Sequence, residues 1–339
     1  MTDRSSAHRS GKLATDITLL GVFLASGCSG GSPAGGGNAT GGSGAGGPIA
    51  GALVYKPCPA TERVGGIAVN LIAAKLTAPA QTQIAGRVLN KVKSNEILQE
   101  VTRSGDCRLL VGQTLSCLNP TCAFPKQCVG TNQCADPPAS QDAGTATITG
   151  LAIPVSMTFT SSQYYVALPT TTAYPPYDLG GGVDLRLSGA AVPALSLSVR
   201  GIVPLDVPTT FPEIEPDKPF HVTWTAPAPA GAGRILLILD IAHHGGISAQ
   251  IECDLADTGS VSIPASLMTA LIDRGTAGFP SMSLTRRSLD SISMTDGCVD
   301  FAVASSVERF VNVEGVVSCD DQSLPCPAGK TCGADLKCN

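Results

Sequence analysis

Beyond residue 52, apolar and polar side chains alternate with a period of two. That period predicts β-strands with one face in a core and the other in water. In the clearest hairpin Val183, Leu185 and Leu187 alternate with Asp184, Arg186 and Ser188, and Leu195, Leu197 and Val199 alternate with Ser196, Ser198 and Arg200. Phe220 to Ala226 alternates too, with Val222 and Trp224 on one face. Gly66 to Ile72, Gln83 to Leu89 and Cys107 to Val111 read as earlier strands, and Thr145 to Leu168 as paired strands about a polar turn at Ser161-Ser162-Gln163. Asn95 to Thr102 fits either a helical turn or a strand. Arg234 to Ile241 is nearly all apolar, as a central strand covered on both faces would be. Further strands are predicted around Met282–Leu284, Ile292–Met294 and Val299–Val303, with Phe310 to Val317 as a last candidate. One short helix is predicted from Ile263-Pro264 to Leu271, since Pro favours the first helical turn. Many short strands with turn signals and almost no helix predict an all-β fold with a β-sandwich body.

The first 51 residues follow another pattern. A basic start (Arg4, Arg9, Lys12) precedes an apolar run from Ile17 to Ala25 and then Ser26-Gly27-Cys28. That order predicts a secretory signal over 1–27. From Ser29 to Gly51 the chain is rich in Gly, Ser, Ala and Pro and has no charged residue. Such a stretch builds no core and predicts a flexible tether with an end-to-end distance of about 25 Å. Leu24-Ala25-Ser26-Gly27-Cys28 resembles the lipobox of bacterial lipoproteins, with Ala25 where that family commonly has Leu. The resemblance implies cleavage before Cys28, a diacylglycerol thioether on its sulfur and an acylated amino terminus. It thus implies a membrane partner through a lipid anchor, in the cell envelope. Ser29 replaces the Asp that signals inner-membrane retention in enterobacterial lipoproteins, which points to the outer membrane.

Cysteine usage supports export. There are 13 cysteines. With Cys28 set aside, an even number remains: Cys58, Cys107, Cys117, Cys122, Cys128, Cys134, Cys253, Cys298, Cys319, Cys326, Cys332 and Cys338. In an oxidising compartment these predict disulfides. Cys122, Cys128 and Cys134 follow Cys117 with five residues in each gap of the trio, and Cys326, Cys332 and Cys338 follow Cys319 with the same gaps. Lys126 and Lys330 share an offset, each four residues after the second cysteine of its group. Equal spacing in two places predicts two copies of one small crosslinked unit. So short a segment cannot bury a core of its own, and crosslinks replace it. The spacings are not those of zinc ribbons, so neither metal nor cofactor is expected.

The units resemble the short Cys-rich modules of extracellular proteins. That resemblance implies first-to-third and second-to-fourth bridges: Cys117–Cys128, Cys122–Cys134, Cys319–Cys332 and Cys326–Cys338. The remaining four are expected to pair locally, as Cys58–Cys107 and Cys253–Cys298. The organisation read from these signals is a signal over 1–27, a tether over 28–51, a β subdomain over 52–136 ending in the first unit, a β-sandwich over 137–316 and a C-terminal unit over 317–339. The stretch from Val222 through Cys253 to Ile263-Pro264-Ala265 is similar to modules of uncharacterised myxobacterial lipoproteins. This implies architecture and location, not chemistry.

Composition narrows the partners. The net charge is −5, without a basic block. Nucleic acid is therefore not an expected partner, because phosphate binding needs clustered Lys and Arg. After Cys28 no apolar run is long enough for a transmembrane helix. A membrane β-barrel needs aromatic girdles, which 1 Trp, 5 Tyr and 8 Phe hardly supply.

Four places carry candidate chemistry. Asp257-Thr258-Gly259-Ser260 matches the Asp-Thr-Gly-Ser motif of aspartic proteases, whose chemistry needs two carboxylates sharing a proton. The nearest second candidate, Asp142-Ala143-Gly144-Thr145, departs from the pattern, and a hairpin turn accounts for Asp257 and Gly259 equally well. His243 and His244 precede a Gly pair and read as a turn. Asp320 and Asp321 lack the spaced ladder of a calcium loop. Phe159, Tyr164, Tyr165, Tyr174 and Tyr177 cluster in sequence. Exposed on a sandwich edge, they would stack on a glycan or an apolar peptide; packed under the loop of Pro169, Pro175 and Pro176, they would be core. The expectation is a protein without catalytic residues, serving as a structural or binding surface toward another envelope protein or a glycan. The alternative is an envelope hydrolase, an aspartic-type peptidase around Asp257.

Overall fold

The alternation is matched by burial: Val183, Leu185 and Leu187 are buried and the residues between them exposed, and Leu195, Leu197 and Val199 repeat the pattern. The computed structural model describes residues 55–75, 77–113, 115–118, 121–208, 210–211, 213–228, 233–242, 248–320 and 324–339. Along the chain run β1 (Arg63–Ile72), β2 (Gln81–Leu89), β3 (Gln99–Ser104), β4 (Cys107–Val111), β5 (Gln127–Gly130), β6 (Gln133–Ala135), β7 (Ser140–Gln141), β8 (Ala146–Thr149) and β9 (Val155–Met157). Then come β10 (Tyr164–Ala167), β11 (Gly182–Leu187), β12 (Leu195–Arg200), β13 (Phe220–Thr223), β14 (Arg234–Asp240), β15 (Ala249–Ala256), β16 (Ser260–Ile263), α1 (Ala265–Ile272), β17 (Ser281–Met294) and β18 (Gly297–Phe310). The all-β expectation holds.

Ten strands form one mixed sheet in the order β10-β2-β1-β18-β17-β14-β15-β4-β3, with β7 added to β2. β1 and β18 run parallel; their neighbours are antiparallel. A second sheet has four strands in the order β12-β11-β8-β9, and β13–β16 and β5–β6 are separate ribbons. The large sheet takes strands from both sides of residue 136, so the boundary expected at 136/137 does not separate two bodies.

β17 and β18 each span 14 residues, where three short strands were expected. Arg286, Arg287, Ser288, Asp290 and Ser291 break the apolar pattern there. They remain in the strand because the fold supplies polar partners at that depth. Phe310 closes β18, and the segment to Val317 is not a strand beyond a bridge at Val313.

Both cores lie on one face of the large sheet. Ile292 and Met294 pack against the first core and Met282 and Leu284 belong to the second; even-numbered residues of one strand share a face. The first core fills the space between β1, β2 and β18 and the four-stranded sheet, in a sandwich arrangement. The second is closed by the β13–β16 ribbon and α1 through Phe220, Val222, Ile263, Leu267 and Leu271. Trp224 belongs to this core but lies just past the end of β13. At the β1–β18 contact a side chain would not fit: a Cβ on Gly66 would stand 2.5 Å from the Asp300 carbonyl oxygen.

The structure corrects two of the expected bridges. Cys58 pairs with Cys298 and Cys107 with Cys253. Cys253 on β15 and Cys298 on β18 are separated by β14 and β17, three interstrand steps or about 14 Å, beyond the reach of a disulfide. Cys253 instead faces Cys107 in the β4–β15 ladder. Within the units the bridges are Cys117–Cys128, Cys122–Cys134, Cys319–Cys332 and Cys326–Cys338. Non-reducing peptide mapping should recover Cys58 joined to Cys298. Replacing that pair by serines should lower stability by about 2–5 kcal/mol. A peptide joining Cys58 to Cys107 would contradict the strand order.

Candidate functional site

The charged residues set into β14, β15, β17 and β18 form the site, and they divide by parity. On β17 the side chain of Arg286 enters the seam between the two cores, and that of Arg287 takes the opposite face. Both residues are about 1% exposed.

Arg286 meets Asp257 in the seam. Its Nε donates to Asp257 Oδ2 at 2.6 Å and its Nη2 to Oδ1 at 3.2 Å. Trp224 Nε1 donates to the same Oδ1 at 2.7 Å. The remaining guanidinium hydrogens reach three backbone carbonyls, Val203 and Pro204 at 3.2 and 3.0 Å through Nη1 and Thr225 at 2.6 Å through Nη2. Asp257 does sit at a turn, with Gly259 at φ +97°, but its side chain is buried, not exposed as a hairpin-tip Asp would be. Both of its oxygens accept hydrogen bonds from Arg286 or Trp224. This is the geometry of a structural ion pair, not of two carboxylates sharing a proton. Asp142, the other motif residue, receives the Gly144 amide at 2.7 Å and so closes its own turn.

On the opposite face a second network runs across the strands. Tyr55 donates to Asp254 Oδ2 at 2.5 Å and accepts from Arg287 Nη2 at 2.5 Å. Arg234 Nε holds Asp254 Oδ1 at 2.7 Å. The guanidinium carbons of Arg234 and Arg287 lie 5.1 and 5.4 Å from the Tyr55 ring centre, within cation–π range. Nearby, Arg63 holds Asp300 at 2.8 Å, and Arg108 holds Glu252 at 2.6 Å. Burial pushes the Tyr55 hydroxyl well above its ordinary value, against the lowering effect of Arg287. Burial likewise raises Glu252 against Arg108, and Asp300 against Arg63.

The network fastens the segment that enters the body. The Lys56 amide donates to the Leu289 carbonyl at 3.2 Å, the Cys58 amide to Asp300 Oδ1 at 3.0 Å, and Cys58 is crosslinked to Cys298. Sequence reasoning missed this clasp. Its signal was available: Arg234, Glu252, Asp254, Arg287 and Asp300 interrupt strands that are otherwise strongly apolar.

The aromatic cluster is mostly core. Tyr164 is fully buried; it accepts from the Ala143 amide at 2.9 Å and donates to the Gly144 carbonyl at 2.8 Å. Tyr177 is buried and donates to the Ile202 carbonyl at 3.3 Å. Phe159 and Tyr174 pack against the first core, and Tyr165, 45% exposed, is the open member. Of the two readings open for these five residues, packing into the first core holds for four, and the five rings form no exposed platform. In the small units, Cys117, Cys122 and Cys128 lie close together, as do Cys319, Cys326 and Cys332. All six sulfurs are in disulfides, whereas metal ligation needs thiolates. Cys28, His243, His244 and Asp321 lie outside the described residues. No family model matches the chain, and comparison with curated proteins returns no match.

Breaking a buried pair leaves an uncompensated charge. Asp257→Asn and Arg286→Met should each cost about 3–5 kcal/mol. The Asp257→Leu/Arg286→Met double variant should recover much of this in urea denaturation. A single variant as stable as wild type would contradict the seam. A pH dependence follows from Glu252 and Asp300. A carboxylate whose pKa is raised by folding adds stability below the ordinary carboxylate range, about pH 4. That contribution is lost as the pH rises through the raised value. Glu252→Gln should therefore flatten the decline of the urea midpoint as the pH rises above about 4 relative to wild type. Identical slopes would rule out Glu252 as a contributor.

Proposed function

We propose that the protein is an exported lipoprotein of the cell envelope whose β body is a non-catalytic structural or binding module. The observation that carries the reading is the order of basic start, apolar run and Ser26-Gly27-Cys28, followed by a tether without charge. The body supports it twice. Six disulfides among the described residues suit an oxidising compartment. The clasp at Tyr55, Lys56 and Cys58 lies just beyond the tether, where a chain held at one end needs firm attachment. Ser29 after Cys28 favours the outer membrane, and the likeness to myxobacterial lipoproteins fits such a location. Nucleic acid has no place in this reading, and neither does a cofactor. The carboxylates that might have served as acids or bases, Asp257, Asp254, Glu252 and Asp300, are each held by arginine. That arrangement favours a presented surface, toward an envelope protein or a glycan, over a peptidase at Asp257.

Labelled palmitate should enter the wild-type protein in bacterial cells and not the Cys28→Ala variant. Equal labelling of the two would remove the lipid anchor from the reading.

A further inference from the structure

The two Cys-rich units share a frame and differ in what they show to solvent. Both close the same disulfide pattern. Both close the loop between the second and third cysteines with a four-residue turn, the Lys126 amide bonding the Ala123 carbonyl at 2.8 Å and the Lys330 amide the Pro327 carbonyl at 3.1 Å, but on different backbones: a cis Phe124-Pro125 bond in the first and Gly329 at φ +87° in the second. Two residues past the second cysteine, the first unit carries Phe124 and the second Ala328. One residue past the first cysteine, the first carries Leu118 and the second Asp320. The two units thus share their crosslinks and differ in what their loops carry, the loop after the first cysteine also being two residues shorter in the first unit.

Both side chains are nonetheless in water. Phe124 is 98% exposed and Leu118 is 85% exposed. Their unit also stands further out than its twin. The cysteines of the first unit are all half-buried, whereas Cys319 and Cys338 are buried, with the C-terminal unit bonded to the body through Gly278 and Phe279. Two large apolar side chains exposed to this degree on one small unit make a candidate contact surface.

Shape and charge select the contact. Both apolar groups belong to one small unit, and Lys126 is exposed two residues from Phe124. Between Asp106 and Asp136 the chain has no carboxylate, although the whole protein has a net charge of −5. A positively biased tip ending in Phe and Leu has the chemistry of an interfacial anchor. The rings and aliphatic groups enter the boundary between headgroups and acyl chains, and the ammonium stays among anionic headgroups.

We infer that the Leu118–Phe124–Lys126 tip of the first unit inserts into an anionic phospholipid surface. The choice of a membrane as partner rests on the envelope reading above. In that setting the tip is a second point of attachment beside the acyl chains, and the tether lets the body settle onto the bilayer.

The test uses the mature, disulfide-bonded chain carrying Cys28→Ser, so that no acyl group contributes. It should sediment with vesicles of phosphatidylethanolamine and phosphatidylglycerol, and less with phosphatidylcholine alone or at raised salt. Phe124→Ala should lower the partition coefficient by about tenfold or more. Lys126→Gln should lower it for the anionic vesicles and leave it little changed for phosphatidylcholine. Non-reducing peptide maps show whether each variant keeps its bridges. Cys28→Ser protein that does not sediment, or its Phe124→Ala variant that sediments equally, overturns the proposal. So does self-association abolished by Phe124→Ala without vesicle binding, which would assign the tip to a second copy of the chain. Palmitate labelling reads the acyl anchor separately, so either idea can fail while the other stands.

Discussion

The fold depends on the buried contact between Arg286 and Asp257. One guanidinium gathers the Asp257 turn, the backbone at Val203 and Pro204, and the backbone at Thr225 onto the middle of β17. These three segments connect the four-stranded sheet, the β13–β16 ribbon and the large sheet. Apolar packing is not directional, so two adjacent cores on one face could slide over the sheet. A charge pair that leaves no donor idle admits one alignment. Such a pair is weak evidence for stability as such, because its desolvation offsets much of the attraction. Its effect here is to specify which segments meet.

The opposite face solves another problem. A sheet of ten strands with one apolar face still has to cover or solvate the other. Here Arg63, Arg108, Arg234 and Arg287 interleave with Glu252, Asp254 and Asp300, and Tyr55 is laid across the centre. The long-range bridge Cys58–Cys298 makes this attachment covalent and spans 240 residues of sequence. The N-terminal entry is thus joined to the last hairpin of the sheet.

Much of the architecture was legible in the sequence wherever one face of a strand is apolar and the other wet. β11 and β12 alternate cleanly because water covers one side, so Val183 and Leu197 reveal their direction at once. β17 was broken into pieces because Arg286 and Arg287 look like solvent-facing residues. Their partners Asp257, Tyr55 and Asp254 lie far away in sequence, and no local window brings them together. The same blindness produced the wrong partners for Cys253 and Cys298: proximity in sequence stood in for strand order. Tyr164 and Tyr177 fitted either a patch or the core because a phenol is amphipathic. Burial was decided by backbone groups at Ala143, Gly144 and Ile202 that sequence proximity does not connect to them.

The repeated units show how a crosslinked frame separates stability from surface. In the body, changing a side chain disturbs packing, so residues such as Phe301 and Leu185 answer to the core. In units held by two disulfides and a tight turn, positions between the cysteines are released from that duty. Ala328 and Phe124 stand at the same offset from the second cysteine, in turns of different backbone, and differ by a whole aromatic ring. The C-terminal copy combines its frame with a buried cysteine edge and hydrogen bonds to Gly278 and Phe279, so part of its surface serves attachment to the body. The first copy has its cysteines half-exposed and its apolar groups outward, so its surface is free to serve something else. The bare Phe124 ring is therefore more informative about role than any buried residue of the sheets, because it packs against no core.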